Sequence, residues 1–477
     1  MRIRRILSLF TAAALAVPML AMPAGTAQAK STGTIRDMTT MEIVQDMGLG
    51  INLGNTFESC GEWIDKWGGG TPKAYETAWG SPEITQSIIQ GYADEGFGVL
   101  RVPVAWSNMM STDGKYTISE AYLARVQQVI DWALETDMYV IVNLHWDGGW
   151  LADLPTDHDS CMEKYSVIWT QLSEAFRDYG DKLIFESQNE ELYWQSVWNQ
   201  WGGTSGKDTA YGYCNEVNQT FVDIVRASGG NNAGRHLLIS GYNTDVALTC
   251  DSMFKMPDDP AGRCAVSVHY YIPATFAILE KDAEWGKNAS TWGTDAEVAQ
   301  LNANMDLLKS TFVDKGIPVI IGEYGCPRSN KVAASVTRYL TSVAEAAVKR
   351  GGICPVLWDI TNLHYSRKTY KLTDRQLKIN FDDLRATYFG AQITMPLGDV
   401  NYDGNVNAND ASAVLVAAAK IGAKKDAGLT AAQLTAANAD RRSDAVNAND
   451  ASFILRYAAY KGAKGTKTIE QYFGYAQ

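Results

Sequence analysis

The chain has 477 residues, 46% of them apolar and 20% charged, and a net charge of −12 at pH 7. That length holds one large core and a small second unit. The negative balance argues against nucleic acid and anionic membrane as partners, since both need clustered positive charge; it suits a neutral substrate and bound cations.

In chain order, residues 1–29 place Arg2, Arg4 and Arg5 before an apolar run that closes on Ala27-Gln28-Ala29. This is the plan of an export signal cleaved after Ala29. A membrane anchor is the competing reading, but Pro18 and Pro23 interrupt the run and no other long apolar segment follows. The mature protein is therefore expected outside the cell and soluble. Seven cysteines between Cys60 and Cys354 form no CxxC pair, which argues against zinc. Export permits disulfides, and an odd count leaves at least one thiol unpaired.

Between about residues 47 and 359, apolar runs of strand length alternate with longer amphipathic segments. The runs are "MGLGINLG" (47–54), "FGVLRVPV" (97–104), "MYVIVNLH" (138–145), "KLIFESQN" (182–189), "HLLISGYN" (236–243), "CAVSVHYY" (264–271), "IPVIIGEY" (317–324) and "CPVLWD" (354–359). Their Val, Ile and Leu content predicts buried parallel strands. Segments such as "AYLARVQQVIDWALE" and "NQTFVDIVRAS" show helical periodicity between them. Eight such units predict an α/β fold, a (β/α)8 TIM barrel over residues 30–394. A doubly wound open sheet is the alternative, but no Gly-rich phosphate turn follows the first strand.

Nearly every run ends in a polar or aromatic residue that a core would not select. These are Asn52 and Asn55, Arg101, His145, Asn189 and Glu190, Asn243, His269 and Tyr271, Glu323, and Trp358. In a barrel those ends converge on the face where active sites are built. Two of them, Glu190 and Glu323, are carboxylic acids. A carboxyl pair without a metal motif is the apparatus of glycoside hydrolysis, one protonated to release the leaving oxygen and one ionised to attack the anomeric carbon. Arg101 is expected to keep one ionised while a drier pocket keeps the other protonated. Metal hydrolysis through His145, His269 and the glutamates is the alternative, although these histidines lack HExxH-type spacing. Of the neighbouring acids, Glu186 is expected to be buried and satisfied within its strand, and Glu191 to be solvated or in weak contact with substrate. Trp63, Trp67, Trp150, Trp194, Trp198 and Trp201 fall in predicted loops, where sugar stacking competes with ordinary packing.

The motifs "GINLGNTFES", "ETAWGSPE", "RVPVAW", "NLHW", "FESQNE", "VHYY", "IGEYG" and "LWD" together resemble glycoside hydrolase family 5, the clan A cellulases, over about residues 35–390. The resemblance implies Glu190 as acid/base and Glu323 as nucleophile of a retaining reaction that needs no cofactor. It implies that Asn189 binds the sugar 2-hydroxyl and that Arg101 and Tyr271 orient Glu323. His145 and His269 would hold the sugar or the acid/base, and Trp358 would stack at the cleavage point. Asn55 joins the substrate-binding set. Many members carry a second histidine where this chain has Trp146. The implied substrate is a β-glucan of plant cell wall cleaved in endo fashion, or by the same mechanism xyloglucan, mixed-linkage glucan, mannan or xylan. A non-catalytic carbohydrate-binding subunit is opposed by the intact set of site residues.

After Met395-Pro396 the composition turns to Ala, Asn and Asp, and "VNANDAS" recurs from Val406 and Val446, 40 residues apart. Such duplication predicts a small all-α module over residues 395–477. "DVNYDGNVNAND" (399–410) follows the plan of a calcium loop: Asp399, Asn401, Asp403 and Asn407 as side-chain ligands, Asn405 through its carbonyl, Asp410 at the last position and Gly404 at the turn. The pair of loops resembles a type I-like dockerin, which implies bound Ca²⁺ and a cohesin module of a cellulosome scaffold as partner. The second copy departs from the pattern. Asp440, Asp444 and Asp450 remain, but Arg442 falls at a ligand position, and a cation beside a dication is unfavourable.

Overall fold

The computed structural model describes residues 33–190, 196–442 and 445–475. The expected export signal, Glu191, Trp194 and Asp444 lie outside them. Eight parallel strands close into a barrel in sequence order: β1 (Gly50–Asn52), β2 (Val99–Val102), β3 (Tyr139–Asn143), β4 (Leu183–Glu186), β5 (Leu237–Ser240), β6 (Cys264–Tyr270), β7 (Val319–Tyr324) and β8 (Ile353–Leu357). β8 pairs back onto β1 through Val356 and Gly50, so the (β/α)8 expectation holds. The open-sheet alternative fails on that closure.

The amphipathic segments are helices for the expected reason. In Glu120–Glu135, capped by Ser119, the buried residues Tyr122, Val126, Val129, Ile130 and Ala133 recur at helical spacing. Lys207–Ala227 buries Val217, Phe221, Val222 and Val225. The barrel interior is plugged from its N-terminal end by helix Thr40–Asp46, whose Ile43 and Val44 meet Ile141, Ile184, Leu238, Ile320 and Val356. At the other end hydrophobic filling stops and polar side chains begin.

The strands are shorter than the apolar runs suggest. "KLIFESQN" is strand only from Leu183 to Glu186; Ser187 keeps one backbone bond, its N–H to the Leu238 carbonyl at 3.0 Å, and Ser187, Gln188 and Asn189 stay buried. Their partners explain this. The Ser187 hydroxyl donates to Asn218 Oδ1 at 2.7 Å and accepts from the Ser240 N–H at 3.1 Å. Side-chain bonds thus replace ladder bonds where the chain turns into the barrel mouth.

Residues 395–475 form a helical unit packed on the last barrel helix, Arg375–Phe389: Ile379 buries against Met395 and Ala436, and Tyr402 lies under Arg375 and Lys378. Its own core joins Val400, Ala411, Val414, Ala437, Val446, Ala451 and Ile454 across helices Ala408–Gly422 and Ala448–Gly462. No helix among the described residues is long and apolar enough to cross a membrane. No disulfide forms among the cysteines of the described residues.

Candidate active site

The C-terminal ends of the strands build a charged floor around Arg101. This side chain is fully buried, and its fork serves four acceptors: Nε donates to Glu186 Oε2 at 2.7 Å, Nη1 to Glu323 Oε1 at 2.8 Å and to Asn52 Oδ1 at 3.0 Å, and Nη2 to Asn189 Oδ1 at 2.8 Å. Burial works against its charge, but the two carboxylates outweigh burial and raise its pKa. Glu186 is the buried, satisfied acid expected from the sequence; its other oxygen accepts from the Ser267 hydroxyl at 2.7 Å. Gly322 makes room for this, since a Cβ there would stand 3.1 Å from Ser267 Oγ and 3.2 Å from His269 Nε2.

Glu323 has both oxygens engaged, Oε1 by Arg101 and Oε2 by the Tyr271 hydroxyl at 2.9 Å. Burial and the nearby carboxylates keep the Tyr271 phenol protonated and a donor. A carboxylate held this way by two donors is aimed, as a nucleophile must be. An extra residue in β7, Gly322, shifts the register so that Val268 faces Ile321 while His269 stands directly beside Glu323.

His269 joins the two acids. Its Nδ1 lies 2.5 Å from Glu190 Oε1 and 3.7 Å from Glu323 Oε2. Burial opposes a charge on His269, yet the charges of Glu323 and Glu190 raise its pKa. Burial likewise opposes ionisation of Glu190, but the charge and hydrogen bond of His269 prevail and lower its pKa. Both shifts run against the sequence expectation that a dry pocket protonates the acid: contact with His269 favours the carboxylate form of Glu190, whose side chain is 45% exposed to the cleft. Oxygen and nitrogen atoms of Glu190, His269 and Glu323 lie within 4.8 Å of one another, a spacing that also suits a metal. Arg101 already places a full positive charge on Glu323, and a dication beside it would be repelled.

The remaining expected residues divide. The side-chain oxygen of Asn189 is committed to Arg101, so its amide end supplies the donors for a ligand. The Asn143 amide oxygen accepts from the Val104 N–H at 3.3 Å, which turns its Nδ2 toward His145 Nδ1, 3.2 Å away. His145 therefore carries its proton on Nε2, and burial lowers its pKa to about 3, leaving a neutral donor. Its ring lies parallel to that of Trp358, with centroids 6.1 Å apart. Asn55 stands apart from the carboxyl pair: its Nδ2 reaches the Trp79 carbonyl at 3.5 Å, and it is Asn52, three residues earlier, that joins the Arg101 network. At the end of β5 the hydroxyl of Thr244, adjacent to the expected Asn243, lies against Glu190. Ser267 was legible as a polar residue two before His269, hence on the same strand face; Thr244 carried no such signal. Of the loop rings, Trp198 is buried, Trp150 is half-buried, and Trp63, Trp67 and Trp201 are exposed.

Behind Trp358 sits a second buried charge cluster. Arg367 donates to the Gly54 carbonyl at 2.7 Å, to Thr56 Oγ1 at 2.9 Å and to Ser81 Oγ at 2.6 Å. Glu58 accepts the Thr56 N–H at 2.8 Å, and Asp359 accepts the His364 N–H at 2.7 Å. Burial pushes both acids up to about 7 against the pull of Arg367. Their unfolded pKa values lie near 4, so the fold binds these protons more tightly. Stability from them is full below about pH 4, falls as pH rises to about 7, and is flat above. Urea midpoints at pH 5 and pH 7.5 should differ more for the wild type than for Glu58→Gln/Asp359→Asn; equal differences would refute this origin.

In the tail, the carboxylate of Asp410 accepts the Asn401 N–H at 3.0 Å and the Asn407 N–H at 2.9 Å, and Asp399 accepts from Asp403 and Gly404, both at 2.9 Å. Burial first, then neighbouring negative charge, raises the pKa of Asp399 and Asp410. Buried acids that repel one another, each oxygen keeping a second lone pair, fit an oxygen-liganded dication. Asn401, Asp403, Asn405 and Asn407 complete the donor set. In the second copy Asp450 is placed alike, accepting from Asp440 and Asn447. Arg442 there lies over Phe453 at 5.3 Å and Arg441 over Tyr475 at 4.8 Å.

Residues 63–364 match the model of the cellulase family, glycosyl hydrolase family 5. The chain belongs to this family. It is a glycoside hydrolase. Among family relatives, Endoglucanase B of Clostridium cellulovorans is 33% identical over 79% of this chain and 82% of its own length. A xyloglucan-specific endo-β-1,4-glucanase of Bacteroides ovatus is 33% identical over 72% of this chain and 68% of its own. A broad-specificity endoglucanase of Ruminococcus champanellensis, solved with bound cellotriose, superposes with a TM-score of 0.65 at 31% identity, covering 73% of this chain and 99% of that one.

Proposed function

We propose that this family 5 member is a secreted, retaining endo-β-1,4-glucanase whose tail docks it to a scaffold. One observation carries the mechanism: carboxyl oxygens of Glu190 and Glu323 lie within 4.8 Å. Retaining glycosidases hold their carboxyls about 5–5.5 Å apart, whereas inverting ones leave about 6.5–9.5 Å for a water. Glu323 attacks the anomeric carbon and the glycosidic C–O bond breaks. Glu190, drawing on the proton it shares with His269, protonates the leaving oxygen and is left ionised for the second step. A water then gives a proton back to Glu190 and attacks the same carbon, freeing Glu323. Proton NMR of the first products should show the β anomer; initial α anomer would refute retention.

The β-glucan reading is supported by relatives named as endoglucanases and by the cellotriose-bound neighbour. Xyloglucan is the second reading, favoured by the Bacteroides ovatus relative. Reducing-sugar release across cellulose derivatives, mixed-linkage glucan, xyloglucan, mannan and xylan separates them.

Secretion is supported by the basic, apolar and Ala-x-Ala order of residues 1–29. Docking to a cohesin is supported by the duplicated tail, which exposes Leu415 and Leu455 at the same position of its two repeats. Calcium, when bound, would neutralise the crowded carboxylates of the first loop. Calorimetric titration should lose its calcium heat in Asp399→Ala and keep it almost unchanged in Asp440→Ala. Equal losses would refute the asymmetry between the loops.

A further inference from the structure

The exposed tryptophans among the described residues are Trp63, Trp67, Trp79, Trp146, Trp201 and Trp285. Each lies between the C-terminal end of a strand and the barrel helix that follows, on the catalytic face. Two of them form a pair. Trp63 and Trp67, 49% and 77% exposed, stand at i and i+4 of helix Glu62–Gly68. Such residues share one helix face, about 6 Å apart along the axis, which is comparable to the advance of one sugar in an extended β-1,4 chain.

The helix is anchored, so the rings are held in place. Ile64 is buried in the barrel core, and a Cβ at Gly68 would stand 2.6 Å from that of Ala74 on the next helix, Pro72–Ala78. That helix ends at Trp79, whose carbonyl accepts from Asn55. Asn55 follows Gly54, and Trp358 lies so close to Gly54 that a Cβ there would approach its ring at 3.1 Å. Packed residues therefore run from the ring at the cleavage point to the Trp63–Trp67 face. Neither ring is used by the core, and large exposed apolar groups on a fixed support mark binding surfaces.

We infer that Trp63 and Trp67 form an accessory platform for a β-glucan strand, stacking on consecutive glucose units beyond those held at Glu190 and Glu323. The inference rests on the β-glucan reading above. Glu62 and Asp65 on the same helix offer carboxylates to the sugar hydroxyls.

The test uses the full chain with Glu323→Ala to stop turnover, in gels containing mixed-linkage glucan or hydroxyethyl cellulose. Adding Trp63→Ala and Trp67→Ala should weaken retention about tenfold, given two stacking contacts of about 0.7 kcal/mol each. In the active enzyme the same pair should raise KM on polymer and spare kcat/KM on cellotetraose. Unchanged polymer retention would overturn the platform, as would an equal loss on cellotetraose, which would place the pair within the catalytic cleft. A shift from dimer to monomer in sedimentation would reassign the face to self-association. If the Glu323→Ala parent is retained by no β-glucan, the substrate reading fails first and the platform falls with it.

Discussion

Glu323→Ala should fold and lose about 10⁴-fold or more in kcat, because the attacking atom is gone while Arg101, Tyr271 and Glu190 remain. The deleted carboxylate leaves space for a small anion beside Arg101. Azide should therefore restore part of the turnover of an aryl β-cellobioside and yield the α-glycosyl azide, since azide then attacks in place of Glu323 from the face opposite the leaving group. Glu190→Ala should behave differently. Loss of a general acid reduces the rate by about 10²–10⁴-fold, and least for an aryl leaving group that needs no proton. Glu323 still forms the covalent intermediate in that variant, so azide should give the β-glycosyl azide. The two products distinguish nucleophile from acid/base without reference to any other enzyme. Wild-type turnover in Glu323→Ala, or the same azide anomer from both variants, would refute the assignment.

Arg101→Met should damage stability and activity together. The side chain is the counter-charge of Glu186 and Glu323 in a fully buried site. Removing one partner of a buried ion pair costs about 3–5 kcal/mol, because the other charge is left without compensation. Urea denaturation should show this loss, and kcat should fall as Glu323 loses both its alignment and its charge partner. Arg101→Lys should recover little, since one ammonium does not reproduce a planar fork that serves four acceptors. The decisive variant is Arg101→Met/Glu186→Gln. Neutralising Glu186 should return part of the stability but none of the activity, because Glu323 stays unpaired. Recovery of both, or of neither, would show that Arg101 does not divide its role between a structural and a catalytic acid.

Both expectations begin from side chains that stood out in the sequence. Polar residues at the ends of eight apolar runs are legible because burial without a partner is costly, so their repetition marks one face of a closed barrel. By that argument the placement of Arg101, His145, Asn189, Glu190, His269, Tyr271, Glu323 and Trp358 at the barrel mouth was legible from the chain alone, as was the number of strands.

What they do to one another was decided by tertiary structure. Asn52 rather than Asn55 meets Arg101, because β1 ends at Asn52 and the chain then turns toward Trp79. Thr244 reaches Glu190 through a turn with two consecutive residues at positive φ, Asn243 and Thr244, for which strand periodicity carries no signal. His269 lies against both Glu190 and Glu323 because an extra residue in β7, Gly322, shifts the β6–β7 register and brings that ring between two carboxylates distant in sequence. Local pattern determines which residues face the mouth of the barrel. Charge, protonation and mutual distance depend on all eight strands at once, and become definite only when β8 closes on β1.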